Sequence, residues 1–289
     1  MTRLTNIAVL GTGVLGAQIA YQSAYHGFSV VAFDINAEVI EKAKSRLQGI
    51  ADVYAVEVAG AGDGKAQEAL TRITYSHDLA TAGADADLVI EAIPEILAIK
   101  RDTYTKLSTL APAKTIFATN SSTLLPSDLK EFTGRPDRFL ALHFANHVWV
   151  YNTAEVMGTT DTDPAVYDTV VGFAGDIGMV PIEIKKEKAG YLLNSLLVPL
   201  LNAASELLVD EIAEPDAIDK TWRIGTGSPL GPFQIFDVVG LTTAYNISSQ
   251  GGPKQQAFAK LLKEDYIDKG HLGVATGQGF YTYPAAGSR

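Results

Sequence analysis

Gly11-Thr12-Gly13-Val14-Leu15-Gly16 follows the apolar run Ile7-Ala8-Val9-Leu10, and Asp34 closes a second apolar run, Val30-Val31-Ala32-Phe33, eighteen residues beyond Gly16. A bare GxGxxG occurs in many turns. Here strand, turn, helix, strand and acid stand in order, which predicts the first unit of a doubly wound α/β sheet that binds a dinucleotide. Gly11 permits the tight turn, Gly13 leaves room for a pyrophosphate, and Gly16 lets the helix lie close on the sheet. Thr12, Val14 and Leu15 complete the turn, whose free N–H groups and helix dipole favour an anion. Asp34 is suited to accept both ribose hydroxyls and to repel a 2′-phosphate. It is followed by Ile35 and Asn36 with no Arg or Lys, so the expected cofactor is NAD rather than NADP. FAD shares the fingerprint, but nothing further along the chain supports a flavin site.

The remaining composition narrows the classes. The chain has 289 residues, 47% hydrophobic and 19% charged, enough for two packed domains. A formal charge of −10 argues against nucleic acid and anionic lipid as partners. There are no cysteines, so disulfides, thiolate metal sites and thiol chemistry are excluded. The first strand begins almost at once, leaving no room for a signal peptide, and the apolar stretch 189–205 is broken by Asn194, Ser195, Pro199 and Asn202. A cytoplasmic protein without a membrane span is expected.

Along the first half, short β-branched runs alternate with amphipathic ones, which predicts strands at 6–10, 29–33, 87–92, 115–119 and 138–144, with helices at 37–48 and 65–71. After Lys185 the pattern becomes helical: 190–210 reads as one long apolar helix, and Glu214-Pro215-Asp216 starts another. The expected organisation is a Rossmann-type NAD-binding domain over 1–185 and an all-helical substrate and dimerisation domain over 186–289.

The segments Leu140–Asn146 and Thr153–Met157 both look extended, so His143 and Glu155 can meet across neighbouring strands. Oxidation of an alcohol requires removal of the hydroxyl proton as hydride leaves carbon, and histidine suits that task near neutral pH. A carboxylate on the other ring nitrogen fixes the tautomer. Taken alone, His143 also reads as a hydrogen-bonded core histidine, and Glu155 as an ion-paired acid. His143 and His147 are four apart, but no HExxH pattern or third ligand accompanies them, so no metal is expected.

Several motifs together resemble the 3-hydroxyacyl-CoA dehydrogenase family along nearly the whole chain. They are the fingerprint with Asp34, Val89-Ile-Glu-Ala-Ile-Pro-Glu95 with Lys100, Phe117-Ala-Thr-Asn-Ser-Ser122, His143-Phe-Ala-Asn146 and Glu155. Later come Pro229-Leu-Gly-Pro-Phe233, Asp237-Val-Val-Gly240 and Thr276-Gly-Gln-Gly-Phe-Tyr281. The resemblance implies His143 as general base, Glu155 as its orienting partner, and Ser122 and Asn194 as residues that hold the substrate oxygen. It implies that Glu95, Lys100 and Asn146 lie along the nicotinamide half of NAD, with Asn120 and Ser122 beside it. Read locally, Ser122 could instead cap the segment from Pro126, Asn194 could be a packing amide, and Lys100 a solvated helix lysine.

The departures from the family lie elsewhere. His147 stands where the family has Pro and is followed by Val148-Trp149-Val150-Tyr151; Ala275 stands in place of a Lys near NAD; and Glu187-Lys188-Ala189-Gly190-Tyr191 replaces an Asp-x-Pro-Gly-Phe motif. Ile50 and Glu57 occupy the positions where CoA-using relatives present Ser and Lys, and 49–64 contains no Lys or Arg. CoA is multiply anionic and needs positive groups or helix N-termini. The leading expectation is an NAD-dependent dehydrogenase interconverting a 3-hydroxyacyl-CoA and its 3-oxo partner, acting as a homodimer on a small-molecule substrate. The alternatives are a dehydrogenase of a free 3-hydroxy acid, of the gulonate or carnitine kind, and a non-catalytic NAD-binding protein.

Overall fold

The computed structural model describes residues 4–283 and divides into two compact units, Met1–Leu192 and Leu193–Arg289. The first contains β1 (Asn6–Leu10), α1 (Val14–Tyr25), β2 (Ser29–Phe33), α2 (Ala37–Glu57), α3 (Lys65–Leu70), β3 (Ile73–Ser76) and α4 (Leu79–Gly83). It continues through β4 (Leu88–Glu91), α5 (Leu97–Leu110), β5 (Ile116–Thr119), β6 (Phe139–Phe144), β7 (Thr153–Gly158), α6 (Pro164–Asp176) and β8 (Val180–Ile184).

The eight strands form one sheet in the order β3-β2-β1-β4-β5-β6-β7-β8. Every pair is parallel except β6 with β7. This is the expected Rossmann-type sheet. The strand order reverses between β1 and β4, and the crevice above that switch point is where such sheets bind ligands. Two apolar clusters pack on the sheet, one including Tyr21, Leu47, Tyr54 and Phe173, the other Tyr104, Leu107, Phe117 and Phe139.

Three local differences from the sequence reading have physical causes. The helix expected at 37–48 runs on to Glu57, because Leu47, Ile50, Ala51 and Tyr54 continue one buried face past Gly49. The strands β3 and β8 were not anticipated. Both are short edge strands, and β8 carries Pro181, which an edge tolerates. The long helix begins at Leu193 rather than 190, since Gly190 and Tyr191 take positive φ (80° and 53°) and break the chain direction. The boundary between the units falls after Leu192, beyond the Lys185 boundary read from composition. Residues up to 192 are tied to the sheet: the Tyr191 ring stacks on His143 and the Leu192 N–H donates to Glu155.

The second unit is helical, as its sequence predicts: α7 (Leu193–Val209), α8 (Pro215–Thr226), α9 (Pro232–Val239), α10 (Leu241–Ser248) and α11 (Pro253–Leu261). Its core gathers Leu201, Phe233, Phe236, Leu241, Phe258 and Leu262. Two buried acids organise it. Asp219 accepts the Phe233 and Gln234 N–H groups that open α9, and Asp237 accepts the N–H groups of Phe280 and Tyr281 and the Tyr283 hydroxyl. Burial raises the Asp237 carboxyl above its usual range, against those donors. Among the described residues, no helix is long and apolar enough to cross a membrane.

Candidate active site

The glycine turn is built as its spacing predicts. Gly11 holds φ +92°, and a Cβ there would lie 2.5 Å from the Ala92 carbonyl oxygen; a Cβ on Gly16 would meet the Gly11 carbonyl oxygen at 1.9 Å. A Cβ on Gly13 would meet nothing within 4 Å, and Gly13 places no side-chain cap on the N-terminus of α1. The turn therefore leaves the start of the helix accessible to an anion, which fits a pyrophosphate. Asp34 stands beside it at the end of β2: its Oδ2 accepts from the Thr12 N–H (2.8 Å) and hydroxyl (2.6 Å), and its Oδ1 from the Ile35 N–H. Arg46, which the sequence reading passed over, reaches across from α2 to donate to the Thr12 carbonyl.

A cleft opens over the switch point, lined by Gly13, Val14, Leu15 and Gly16 on one side, and by Ala92, Ile93, Glu95, Lys100, Asn120 and Ser122. The adenosine half of a dinucleotide fits toward Asp34 on β2, and the other half toward β4 and β5. Asn120 is fixed by accepting the Phe144 N–H on its Oδ1. Asn146 is exposed, and its Oδ1 accepts from Gln18 of α1, whose Oε1 also holds the His147 and Val148 N–H groups.

Lys100 is not the solvated lysine of the local reading. It is buried, with its Nζ 2.5 Å from Glu91 Oε1, 3.3 Å from the Ile93 carbonyl and 3.3 Å from Glu95 Oε2. Glu91, at the end of β4, is fully buried and also accepts from Thr119 (2.8 Å), the Ile93 N–H (3.0 Å) and Tyr104 (3.4 Å). Burial pushes its pKa up, while Lys100 and these donors oppose the rise. Glu95 behaves in the opposite way. Burial acts to raise it, but the Ser121 hydroxyl, the Thr123 N–H and hydroxyl and the Lys100 charge outweigh that, holding it at about 2. The signal for Glu91 was present in the sequence as a lone acid closing an otherwise apolar strand.

His143 and Glu155 face each other across the antiparallel β6–β7 pair. His143 Nδ1 lies 3.0 Å from Glu155 Oε2, and Nε2 lies 3.1 Å from the Ser122 hydroxyl. Both residues of the pair are buried, and Glu155 Oε1 accepts the Leu192 N–H. An ionised carboxylate is only an acceptor, so Nδ1 carries the proton and Nε2 presents its lone pair toward Ser122. Tyr191 stacks on the imidazole at 4.3 Å with an interplanar angle of 12°, and its hydroxyl donates to the Ser121 carbonyl. Burial, reinforced by the charges of Glu95 and Glu155, raises the Tyr191 phenol so that it stays neutral. Its ring gives the histidine a second restraint that no spacing rule reveals. Asn194 belongs to the second unit, half-buried in the first turn of α7.

Beyond His143 the chain turns through residues 145–152. His147 takes φ +66°, and His147 Nε2 and Trp149 Nε1 bond to Glu57 Oε2 at 3.0 and 2.7 Å. The Trp149 bond depresses the Glu57 pKa most, partial burial opposes it, and His147 adds to the depression, so Glu57 is ionised.

Residues 6–188 match the family model for the NAD binding domain of 3-hydroxyacyl-CoA dehydrogenase, and residues 190–283 match that for its C-terminal domain. The chain belongs to the 3-hydroxyacyl-CoA dehydrogenase family. As in that family, it is an NAD-dependent oxidoreductase. It is 34% identical over 288 residues to human mitochondrial hydroxyacyl-coenzyme A dehydrogenase, covering 96% of this chain and 91% of the relative. Among solved structures, it resembles the (S)-3-hydroxybutyryl-CoA dehydrogenase PaaH1 from Ralstonia eutropha at 27% identity, a TM-score of 0.80 and coverage of 97% and 99%. It resembles a diketoreductase, described as a substrate-directed dual catalyst of dicarbonyl compounds, at 73% identity, a TM-score of 0.96 and coverage of 98% and 100%.

Proposed function

We propose that this dehydrogenase interconverts a 1,3-dicarbonyl compound and its 3-hydroxy partner, with His143 as the proton carrier. The observation that carries the reading is the line from buried Glu155 through buried His143 to the half-buried Ser122 of the cofactor cleft. When bound, NADH supplies a hydride to C3 of the substrate, and NAD accepts it in the reverse direction. In the oxidative direction, His143 Nε2 takes the hydroxyl proton and Glu155 stabilises the imidazolium that forms. In reduction the imidazolium returns that proton to the oxygen at C3. Ser122 lies within hydrogen-bond reach of the same nitrogen, where it can share the substrate oxygen and hold it in line.

A 3-oxoacyl thioester is itself a 1,3-dicarbonyl, so the family's chemistry and that of the 73% identical diketoreductase share one reacting unit. The two differ in what lies beyond it. The ionised Glu57, held by the loop that follows His143, disfavours a polyanionic CoA tail. His147 is four residues from His143, within about 14 Å even if the chain were extended. A neutral or small 3-oxo substrate is therefore the first reading. The CoA thioester is the second, favoured by the likeness to human hydroxyacyl-coenzyme A dehydrogenase. NADH consumption with ethyl acetoacetate and with acetoacetyl-CoA separates them. Faster turnover of the neutral ester at equal concentration is expected, preference for the thioester reverses the order, and turnover of neither removes the reaction.

A homodimer through the second unit also belongs to this proposal. Leu196 and Ile224 are 75% and 83% exposed there and offer apolar surface for such an interface. Sedimentation should find a dimer that Leu196→Glu weakens; a monomeric wild-type chain would refute it.

A further inference from the structure

A charged cluster stands at the cleft, with Glu91 and Lys100 buried and Glu95 partly exposed. Glu91 and Glu95 contribute two carboxylates and Lys100 one ammonium. An ammonium has three protons, and the Lys100 Nζ has three protein oxygens within 3.3 Å: Glu91 Oε1, the Ile93 carbonyl and Glu95 Oε2. Lys100 lines the cleft but is turned toward these acceptors. Glu91 makes the shortest of the contacts and is itself anchored by Thr119 and the Ile93 N–H, so it fixes where the ammonium sits.

We infer that Glu91 is a positioning residue that draws Lys100 back into the wall, so that the Glu91–Glu95–Lys100 cluster presents one net negative charge to the nicotinamide half of the cofactor. The nicotinamide ring is cationic in NAD and neutral in NADH. A net negative wall beside the ring therefore holds the oxidised form more tightly than the reduced one. By the same difference it makes bound NADH the stronger hydride donor, which suits carbonyl reduction. The inference rests on the cleft holding the nicotinamide half, and it assigns Glu91 a role although no ligand need touch it.

Titration of each variant with NAD and with NADH, read as two dissociation constants without substrate, tests the charge directly. Glu91→Gln should weaken NAD about tenfold relative to NADH, a change of ~30 mV in the potential of the bound couple. The double variant Glu91→Gln with Lys100→Met restores the net charge of −1 and should bring the ratio back toward wild type. A merely structural Glu91 would weaken both cofactors together, and the double variant would be worse than the single. Glu95→Gln, at a half-exposed position that the fold tolerates more readily, removes the same charge and should move the ratio in the same direction. A ratio unmoved by either single variant, or driven further from wild type in the double, overturns the inference. Loss of both affinities in equal proportion in Glu95→Gln would instead mean that the cleft contributes contacts but no charge selectivity, and this too overturns it.

Discussion

Buried carboxylates organise both units, and they do so differently. In the second unit, Asp219 and Asp237 accept hydrogen bonds from backbone N–H groups and tyrosine hydroxyls, and the chain closes around them. A Cβ on Gly279 would lie 1.9 Å from Asp237 Oδ1, and one on Gly231 would lie 2.2 Å from Asp219 Cγ. In the first unit, the buried Glu155 and Glu91 and the more exposed Glu95 each bond to a side chain that can carry or hold a proton, His143 or Lys100, at or beside the cleft. Burial alone does not separate the acids proposed to work from those that brace the chain. The difference lies in the partner: an amide N–H is a fixed donor, whereas an imidazole transmits a change of charge.

The sharpest way to break this comparison is to remove the two kinds of partner. His143→Ala should lower the rate by about 10³-fold, the scale of a lost general acid–base, while the NAD dissociation constant changes less than twofold. A collapse of NAD binding would mean that the histidine is a core residue of the cofactor site. Asp237→Asn should do the reverse, costing about 2 kcal/mol in urea unfolding through donors left poorly paired, with cofactor affinity unchanged. A specific loss of cofactor affinity at full stability would place Asp237 with the working acids.

A smaller effect is expected at the rim. Glu57→Lys should raise kcat/KM for acetoacetyl-CoA about tenfold relative to ethyl acetoacetate, since the proposal sets that charge against the CoA tail and the substitution reverses its sign. No change in that ratio would remove Glu57 from substrate choice. The smallest effect concerns pH. Glu95 and Asp87 are both held down to about 2, from ordinary values of 4.5 and 3.8. Their folded pKa values lie below the unfolded ones, so the stability they contribute is full above about 4.5 and is lost as pH falls toward 2. Glu95→Gln and Asp87→Asn should be less stable near neutral pH, and their acid unfolding followed by circular dichroism should begin at higher pH with a flattened slope. An unchanged slope would show that neither pairing is linked to folding.

Much of this was legible in the sequence because it depends on local order. The glycine turn and Asp34 are read from spacing, since a dinucleotide fold needs small residues at fixed offsets. The His143–Glu155 pairing followed from two extended segments, and the β6–β7 register places the two residues opposite each other. Lys100 was ambiguous: on its own helix it has the spacing of a surface lysine, and only the strand end at Glu91 makes it a buried ion pair. Tyr191 was legible only as a departure from the family motif. Its stacking on His143 depends on two consecutive residues of positive φ, which bring a distant segment back onto the sheet.

The sequence by itself determined the Rossmann-type character of the first unit and the cofactor, because both rest on residue identity at short range. Only the tertiary structure decided which acids hold what. It turned Lys100 inward, bound Glu57 to Trp149 and His147, and enclosed Asp219 and Asp237 in their own unit. The Glu57 and Asp237 contacts join segments tens of residues apart, and Lys100 meets Glu91 nine residues back only across the turn that leaves the sheet, so all of them form only when packing of the apolar core brings the elements together.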